Sequence, residues 1–331
     1  MRIAVIGAGG WGTTIAELLG KKGFDVSLWV HSDKTFEEIL NSKENKSYLR
    51  GVSLEHIRNF TMDMWEAIEG ASLVVLAIPV QKIRENICNV NPTGKEVVLN
   101  VSKGIEIKTF MRVSELIMDI WKIPVDRVAT LSGPNFSYEI AREMPAATVI
   151  GCTNEKTAKE LQDIFMNDYL RVYYTSDIVG VELGGALKNV YAIGTGISDG
   201  LGFGDSSKAS LIVRSILEMI RLGEVLGGKK GTFVGLSGIG DLIATSFSKR
   251  SRNRWAGEEI GKGKSREDIE EMTTQVVEGL YTLEAIYSLK EQLNIDMPVI
   301  EAIYNIVYRR LSPFEELAKL MRREKKREDT V

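Results

Sequence analysis

The sequence predicts an α/β fold, with a doubly wound parallel sheet in the N-terminal half and an all-helical domain after it. Three observations carry that prediction. Short apolar, β-branched runs alternate with helical patterns through the first half of the chain. A glycine-rich turn follows the first of those runs directly, and beyond Ser176 the apolar periodicity is almost entirely helical.

Taken in order, the candidate strands are Ile3–Ile6, Val26–Val30, Leu73–Ile78, Val97–Val101, Val128–Ser132 and Thr148–Gly151. Helical patterns near Gly12–Lys22, Lys82–Cys88, Phe110–Trp121 and Lys156–Phe165 separate several of them. Strands that read as unbroken apolar runs are buried on both faces, and alternation with helices is what a parallel sheet requires. From Ile178 onward, apolar-periodic segments at 178–197, 207–226, 279–291 and 298–310 read as helices. A boundary near residue 180 follows, giving a nucleotide-binding domain over 1–180 and a helical substrate domain over 181–331. The length of 331 residues suits about two domains at roughly 150 residues each. The mixed-charge tail from Arg322 to Asp329 reads as a fraying, solvated helix end.

Composition narrows the function classes. Hydrophobic residues make up 44% and charged residues 26%, ordinary for a globular chain. A net charge of -3 offers no general attraction for nucleic acid or acidic membrane, so any anion site must be a local cation cluster. Cys88 and Cys152 are far apart and have no partner at metal-ligand spacing, which points to free thiols, a reducing compartment and no metal site. The opening apolar run flows into a glycine turn instead of a cleavage site. No apolar stretch reaches transmembrane length free of charge. The expectation is a soluble, cytoplasmic protein with no integral membrane segment.

Gly7-Ala8-Gly9-Gly10-Trp11-Gly12 fits G-x-G-x-x-G between a strand and a helix, the Rossmann arrangement for a dinucleotide. The first glycine permits the tight turn, the second admits the pyrophosphate, and the third lets helix and strand pack closely. The helix that follows turns its free N–H groups toward the phosphates. An NAD-preferring site usually places an acid about 20 residues on, at the tip of the second strand. Here the segment reads Trp29-Val30-His31-Ser32-Asp33-Lys34, with no acid at the tip. That leans the cofactor to NADPH over NADH.

Two lysines stand out. Between Ile178 and Leu201 the only charges are Glu182, Lys188 and Asp199. Lysine is almost never fully buried unless paired, and a buried lysine's proton affinity is readily tuned, which makes Lys188 a catalytic candidate. A snorkelling or ion-paired lysine is the alternative. The glycines around it cost roughly 1 kcal/mol each in a helix interior, so something requires a close backbone approach. Lys103, in Ser102-Lys103-Gly104, follows a buried strand directly and falls at the carboxyl edge of the sheet, where open α/β sheets bind ligands. Further on, Lys249-Arg250-Ser251-Arg252-Asn253-Arg254 packs four cations into six residues, behind a glycine-rich turn ending in Asp241. Arginine forks beside Ser and Asn donors suit a phosphate monoester. Solvated or helix-capping charge is the plainer reading of the same run.

These motifs together resemble the bacterial NAD(P)-dependent glycerol-3-phosphate dehydrogenase family. The resemblance runs from the glycine loop to about residue 310 through Gly7–Gly12, Ser102-Lys103-Gly104, Ser132-Gly133-Pro134-Asn135-Phe136, Leu187-Lys188-Asn189-Val190-Tyr191-Ala192, Gly240-Asp241-Leu242 and Ser251-Arg252-Asn253. It implies a two-domain plan like that of 6-phosphogluconate dehydrogenase. It also implies interconversion of dihydroxyacetone phosphate and sn-glycerol 3-phosphate, feeding glycerophospholipid synthesis. Carried over by position, it makes Lys188 the proton donor and acceptor. Lys103, Gly133, Asn135, Asp241, Ser251, Arg252 and Asn253 become substrate contacts. The cofactor would be lined by Gly7, Gly9, Gly10, Trp11, Gly12, His31, Ser137, Val276 and Glu278, with Lys103 and Arg252 reaching it as well. Gly10 stands where that family often carries a serine. The rival readings are a two-domain dehydrogenase acting on a small carboxylate, of the 3-hydroxyacid or ketopantoate type, and a non-catalytic NAD(P)-binding sensor. The apolar helices of the second domain suit a homodimer interface and intrachain packing equally.

Overall fold

The run Ile3–Ile6 has no polar face, and in the fold it has none to show. The computed structural model describes residues 1–325, 327 and 328, so Lys326 and Asp329 of the expected helical tail lie outside the described residues. Strand β1 (Arg2–Ile6) sits inside an eight-stranded sheet of order β3-β2-β1-β4-β5-β6-β7-β8. The others are β2 (Asp25–Trp29), β3 (Asn59–Thr61), β4 (Leu73–Leu76), β5 (Val97–Asn100), β6 (Val128–Ser132), β7 (Ala146–Cys152) and β8 (Leu170–Thr175). Successive side chains of a strand point to opposite faces. Accordingly Ile3 and Val5 enter one apolar core and Ala4 and Ile6 the other, all four fully buried. Helices α1 (Gly10–Lys21), α2 (Asp33–Ser42), α3 (Met64–Ile68), α4 (Val80–Ile87), α5 (Val113–Trp121), α6 (Ser137–Ile140) and α7 (Glu155–Phe165) connect the strands.

The sheet departs from the expected all-parallel pattern at one place: β6 and β7 pair antiparallel, with Ser132 opposite Val149. Their connection carries only the four-residue α6. With no crossover helix to return the chain to the other end of the sheet, β7 starts where β6 stops and runs back. Two strands that the sequence reading did not mark are β3 and β8. The first is three residues long, too short to show a period. The second alternates, burying Leu170 and Val172 while Arg171 and Tyr173 stay exposed, as the last strand of a sheet covered on one face does.

After β8 the described chain is helical. The elements are α8 (Ile178–Gly200), α9 (Asp205–Val225), α10 (Lys230–Phe233), a π-helical turn Leu236–Gly240, α11 (Asp241–Phe247), α12 (Arg252–Gly261), α13 (Arg266–Met272), α14 (Glu278–Leu293), α15 (Pro298–Arg309) and α16 (Pro313–Met321). The helix ends at Met321, before the charged tail begins. The chain divides into two compact units, one of Met1–Ser102 with Met111–Glu182, the other of Lys103–Phe110 with Leu183 onward. The short segment Lys103–Phe110 therefore clusters with the helical unit, although it follows β5 in sequence.

Of the glycines near Lys188, Gly184 has a close backbone approach, its Cβ position lying 2.8 Å from the Ser237 carbonyl oxygen, whereas Gly194 faces the Ile303 side chain; the closest approaches of α8 come farther along. A Cβ on Gly196 would stand 2.0 Å from the Arg254 carbonyl oxygen, and one on Gly257 would stand 2.0 Å from that of Ile193. The backbones of α8 and α12 thus touch, and any side chain at either position would push them apart.

Candidate functional site

In the first unit, the candidate residues around the glycine loop are arranged mainly by backbone. Gly7 ends β1 at φ +117°, a left-handed conformation that glycine alone adopts freely. Gly12 packs α1 against that turn so closely that a Cβ would lie 1.9 Å from the Gly7 carbonyl oxygen. Gly9, between them, faces open space, with nothing within 4 Å of where its Cβ would be. Gly9 is also the N-cap of α1 and supplies no side-chain cap, so the first N–H groups of the helix are left for a ligand. The buried Asn45 amide braces the turn by donating to the Ala8 carbonyl and the Thr13 hydroxyl, both at 2.8 Å. An open glycine between two closely packed ones, at the positive end of a helix, fits the pyrophosphate of a dinucleotide.

Other sequence-predicted residues gather at this edge. Ser137 opens α6 with its hydroxyl 3.1 Å from where a Cβ on Gly10 would stand, so a hydroxyl is present beside the glycine loop. Trp11 is half-buried against the core. His31 is exposed just past the end of β2, its ring 5.5 Å from that of Trp29. The Ser32 hydroxyl next to it caps α2 by accepting from the Thr35 N–H, and Asp33 already belongs to the helix. Gly133 turns the chain after β6 at φ +149°, and the Asn135 amide donates to the Ala147 carbonyl at 2.9 Å. The Asn135 Oδ1 is buried with no hydrogen-bond partner.

The second unit holds a cluster of charged side chains. Lys188, halfway along α8, is 8% exposed, and Asp241, at the start of α11, is 2% exposed. The Lys188 Nζ lies 3.0 Å from Asp241 Oδ1, and the Lys103 Nζ lies 2.5 Å from Oδ2 of the same carboxylate. Lys188 also donates to the Thr245 hydroxyl at 2.7 Å, and that hydroxyl donates to Asp241 Oδ1 at 3.1 Å. The ammonium of Lys188 is thus held by two oxygens inside a nearly dry site. Burial pulls it down to about 8 from an ordinary 10.5; the nearby Lys103 and Arg252 charges push the same way, and Asp241 opposes them. Burial alone would raise the Asp241 carboxyl, but Lys103 and Lys188 outweigh it and hold the group below the usual aspartate range.

Next to Lys188 on α8, the Asn189 amide oxygen accepts from the Asn253 side chain at 2.8 Å, and Asn253 Oδ1 accepts from the Gly279 N–H at 2.9 Å. Arg252 donates to the Val276 carbonyl at 2.8 Å, and Glu278 begins α14 two residues later. Ser251 caps α12 by accepting from the Arg254 N–H at 3.1 Å. Lys103, Lys188 and Asp241 therefore form one cluster, and Ser251, Arg252, Asn253, Val276 and Glu278 form a second that Asn189 ties to it.

The run at 249–254 does not act as a single group of cations. Arg254 is 9% exposed and committed to Asp199 at 2.7 Å, Glu258 at 3.0 Å and the Ser248 carbonyl at 3.1 Å. Lys249, Arg250 and Arg252 are all exposed, and Arg252 is set apart by its bond to the Val276 carbonyl and its place beside Asn253. Sequence reasoning also passed over Thr245 and gave Asn189 no role. Thr245 had a readable signal: it lies four residues after Asp241, hence on the same face of a helix.

Comparisons with known proteins agree over nearly the whole chain. Residues 2–158 match the model of the NAD-dependent glycerol-3-phosphate dehydrogenase N-terminus, and residues 177–318 match that of its C-terminus. Among curated relatives, a glycerol-3-phosphate dehydrogenase [NAD(P)+] of Citrifermentans bemidjiense is 43% identical over 99% of this chain and 98% of its own. The solved glycerol-3-phosphate dehydrogenase of Coxiella burnetii superposes with a TM-score of 0.92 at 32% identity, covering 97% of this chain and 99% of the other. That of Saccharomyces cerevisiae gives 0.84 at 27% identity, covering 98% and 99%.

Proposed function

The chain belongs to the NAD-dependent glycerol-3-phosphate dehydrogenase family, and we propose that its own Lys188 is the proton donor and acceptor of the reaction, with Arg252 and Asn253 holding the substrate phosphate. The reaction interconverts dihydroxyacetone phosphate and sn-glycerol 3-phosphate with NAD(P), and a small-carboxylate dehydrogenase is not favoured. When bound, the reduced nicotinamide supplies the hydride that adds to the C2 carbonyl carbon. The protein's task is to meet the charge that then develops on the carbonyl oxygen. Protonated Lys188 gives that oxygen its proton and becomes neutral; in the oxidative direction the neutral amine takes the proton back.

The observation that carries this reading is the trio of half-buried Lys103 with buried Asp241 and Lys188, two cations sharing one carboxylate. One lysine alone would be neutralised by burial; with Asp241 beside it, Lys188 stays mostly protonated near pH 7 and still yields its proton near pH 8. Lys103 offsets the rest of the Asp241 charge and stands ready to orient the substrate's oxygens. Arg252 and Asn253, at the first turn of α12, bring a guanidinium fork and a side-chain amide to the positive end of a helix, a donor set that suits a phosphate monoester. Binding energy gathered at the phosphate positions the carbonyl for the acid. In the first unit, Gly7–Gly12 and Ser137 take the dinucleotide, His31 its adenosine end, and Gly133 and Asn135 contribute to substrate binding.

NADPH is the preferred cofactor in this reading. The tip of β2 offers His31, Ser32 and the exposed Lys34, while Asp33 is turned into the first turn of α2 instead of standing at the strand end. No helix of the described residues is long and apolar enough to cross a membrane. The two free cysteines fit a reducing cytoplasm. The direct test follows nicotinamide absorbance with dihydroxyacetone phosphate, NADPH against NADH. Turnover that needs the phosphate ester, with the higher kcat/KM for NADPH, is expected. Equal turnover of the unphosphorylated ketone would overturn the phosphate assignment, and a preference for NADH would overturn that of the cofactor.

A further inference from the structure

Glu182 of α8 is paired with Arg112 and Ser114, which leaves Asp199 as the other charge of that helix with no part in the reaction. It stands eleven residues beyond Lys188 on the same helix, about 16 Å along its axis. Its carboxylate is shared by two largely buried cations, Lys208 on Oδ1 at 2.6 Å and Arg254 on Oδ2 at 2.7 Å. Each cation holds one flank of the turn between α11 and α12. The Lys208 ammonium lies 5.0 Å from the centre of the Phe247 ring, where that turn begins. Arg254 donates through Nε to the Ser248 carbonyl, and its backbone N–H reaches the Ser251 hydroxyl, both at 3.1 Å. The Ser251 N–H closes the same turn onto the Ser248 carbonyl at 3.1 Å. Arg252 and Asn253 follow directly.

We propose that Asp199 is a positioning residue for phosphate recognition: it fastens the Phe247–Ser251 turn to α8 and so sets how far Arg252 and Asn253 stand from Lys188. The helix acts as a ruler, with the acid at one mark and the phosphate-binding turn pinned at another. Lys208 is the second anchor. Arg254, which in sequence looks like a phosphate ligand, serves the same purpose from inside. This inference rests on the reading that Arg252 and Asn253 hold the phosphate.

The test compares Asp199→Asn, Lys208→Met and Arg252→Ala in the full chain, each assayed with dihydroxyacetone phosphate and with unphosphorylated dihydroxyacetone. For Asp199→Asn, KM for the phosphate ester should rise tenfold or more, with kcat within about threefold and the pH inflection of kcat unmoved. Its kcat/KM for the unphosphorylated ketone should change less than twofold. Lys208→Met, which leaves the Arg254 anchor in place, should raise the same KM by about threefold, and it carries the test alone if Asp199→Asn does not fold. The inhibition constant of inorganic phosphate should rise in step in both. Equal losses on the two ketones, or an unchanged KM for the ester, would overturn the inference. If Arg252→Ala separates the two substrates and the anchor variants do not, the ruler fails and the phosphate assignment stands. If Arg252→Ala does not separate them, both fall together.

Discussion

The glycine loop of the first unit and the lysine–aspartate cluster of the second are built by opposite means. The loop works through side chains it lacks: a turn at Gly7, an open face at Gly9 and a contact at Gly12 that admits no Cβ. Its donors are backbone N–H groups, whose charge is fixed by geometry and indifferent to pH. The cluster works through side chains brought from separate segments at 103, 188, 241 and 245, and its charges depend on one another. A backbone site grips a ligand that stays the same throughout the reaction. A site of coupled ionisable groups can move a proton, because burial and neighbours bring one of them near the working pH.

That difference can be broken most severely at the cluster. Lys188→Ala removes the acid and leaves Asp241 buried beside Lys103 alone; kcat should fall by about 10²- to 10⁴-fold, the usual yield of a positioned acid, with cofactor binding kept. Cofactor titration by nicotinamide fluorescence checks the second half, and near wild-type turnover would remove Lys188 from its role. At the loop, equal chemistry at two glycines should have unequal outcomes. Gly12→Ala forces a Cβ into the Gly7 carbonyl and should cost about 2–3 kcal/mol of stability, seen as a lower denaturation midpoint. Gly9→Ala meets no atom of the protein, so the midpoint should hold while the cofactor's dissociation constant rises several-fold. Similar stability losses in both would mean that the open face at Gly9 is not where the pyrophosphate lies.

The same difference explains what could be read from the chain. A backbone site is contiguous, so strand, glycines and helix appear in order within Arg2–Lys21, and the motif and its setting are legible together. The helical periods of α8, α9, α14 and α15 were legible for a similar reason, since each is long enough to repeat. Short or one-sided elements such as β3 and β8 were not, and the antiparallel turn into β7 depended on a connection whose path no local pattern records. Within the cluster, Lys188 could be suspected because it is a charge in an apolar helix. Its partner Thr245 and the diversion of Arg254 to Asp199 depend on which segments meet. Four cations within six residues look alike in sequence; burial and pairing with Asp199 and Glu258 are what distinguish Arg254 from the exposed Arg252.

The mildest intervention tests whether the cluster's charges are coupled as their spacing implies. On the proposed assignment the protonated form of Lys188 acts in the reductive direction, so kcat should be flat well below pH 8 and fall as pH rises through about 8. The oxidative direction needs the neutral amine and should rise through the same value. Lys103 is one of the charges that lower the Lys188 ammonium, since two cations around one carboxylate repel. Lys103→Met removes that repulsion and leaves Asp241 wholly to Lys188, so the inflection should move upward by about one unit or less. Reduction would then persist to higher pH, and oxidation would need a more alkaline solution to reach half its maximum. The position of the inflection is independent of how much KM suffers from losing a substrate contact, so kcat profiles in both directions isolate the coupling. An inflection that stayed in place would mean that burial and Asp241 alone set the acid, and that Lys103 acts on the substrate without tuning Lys188.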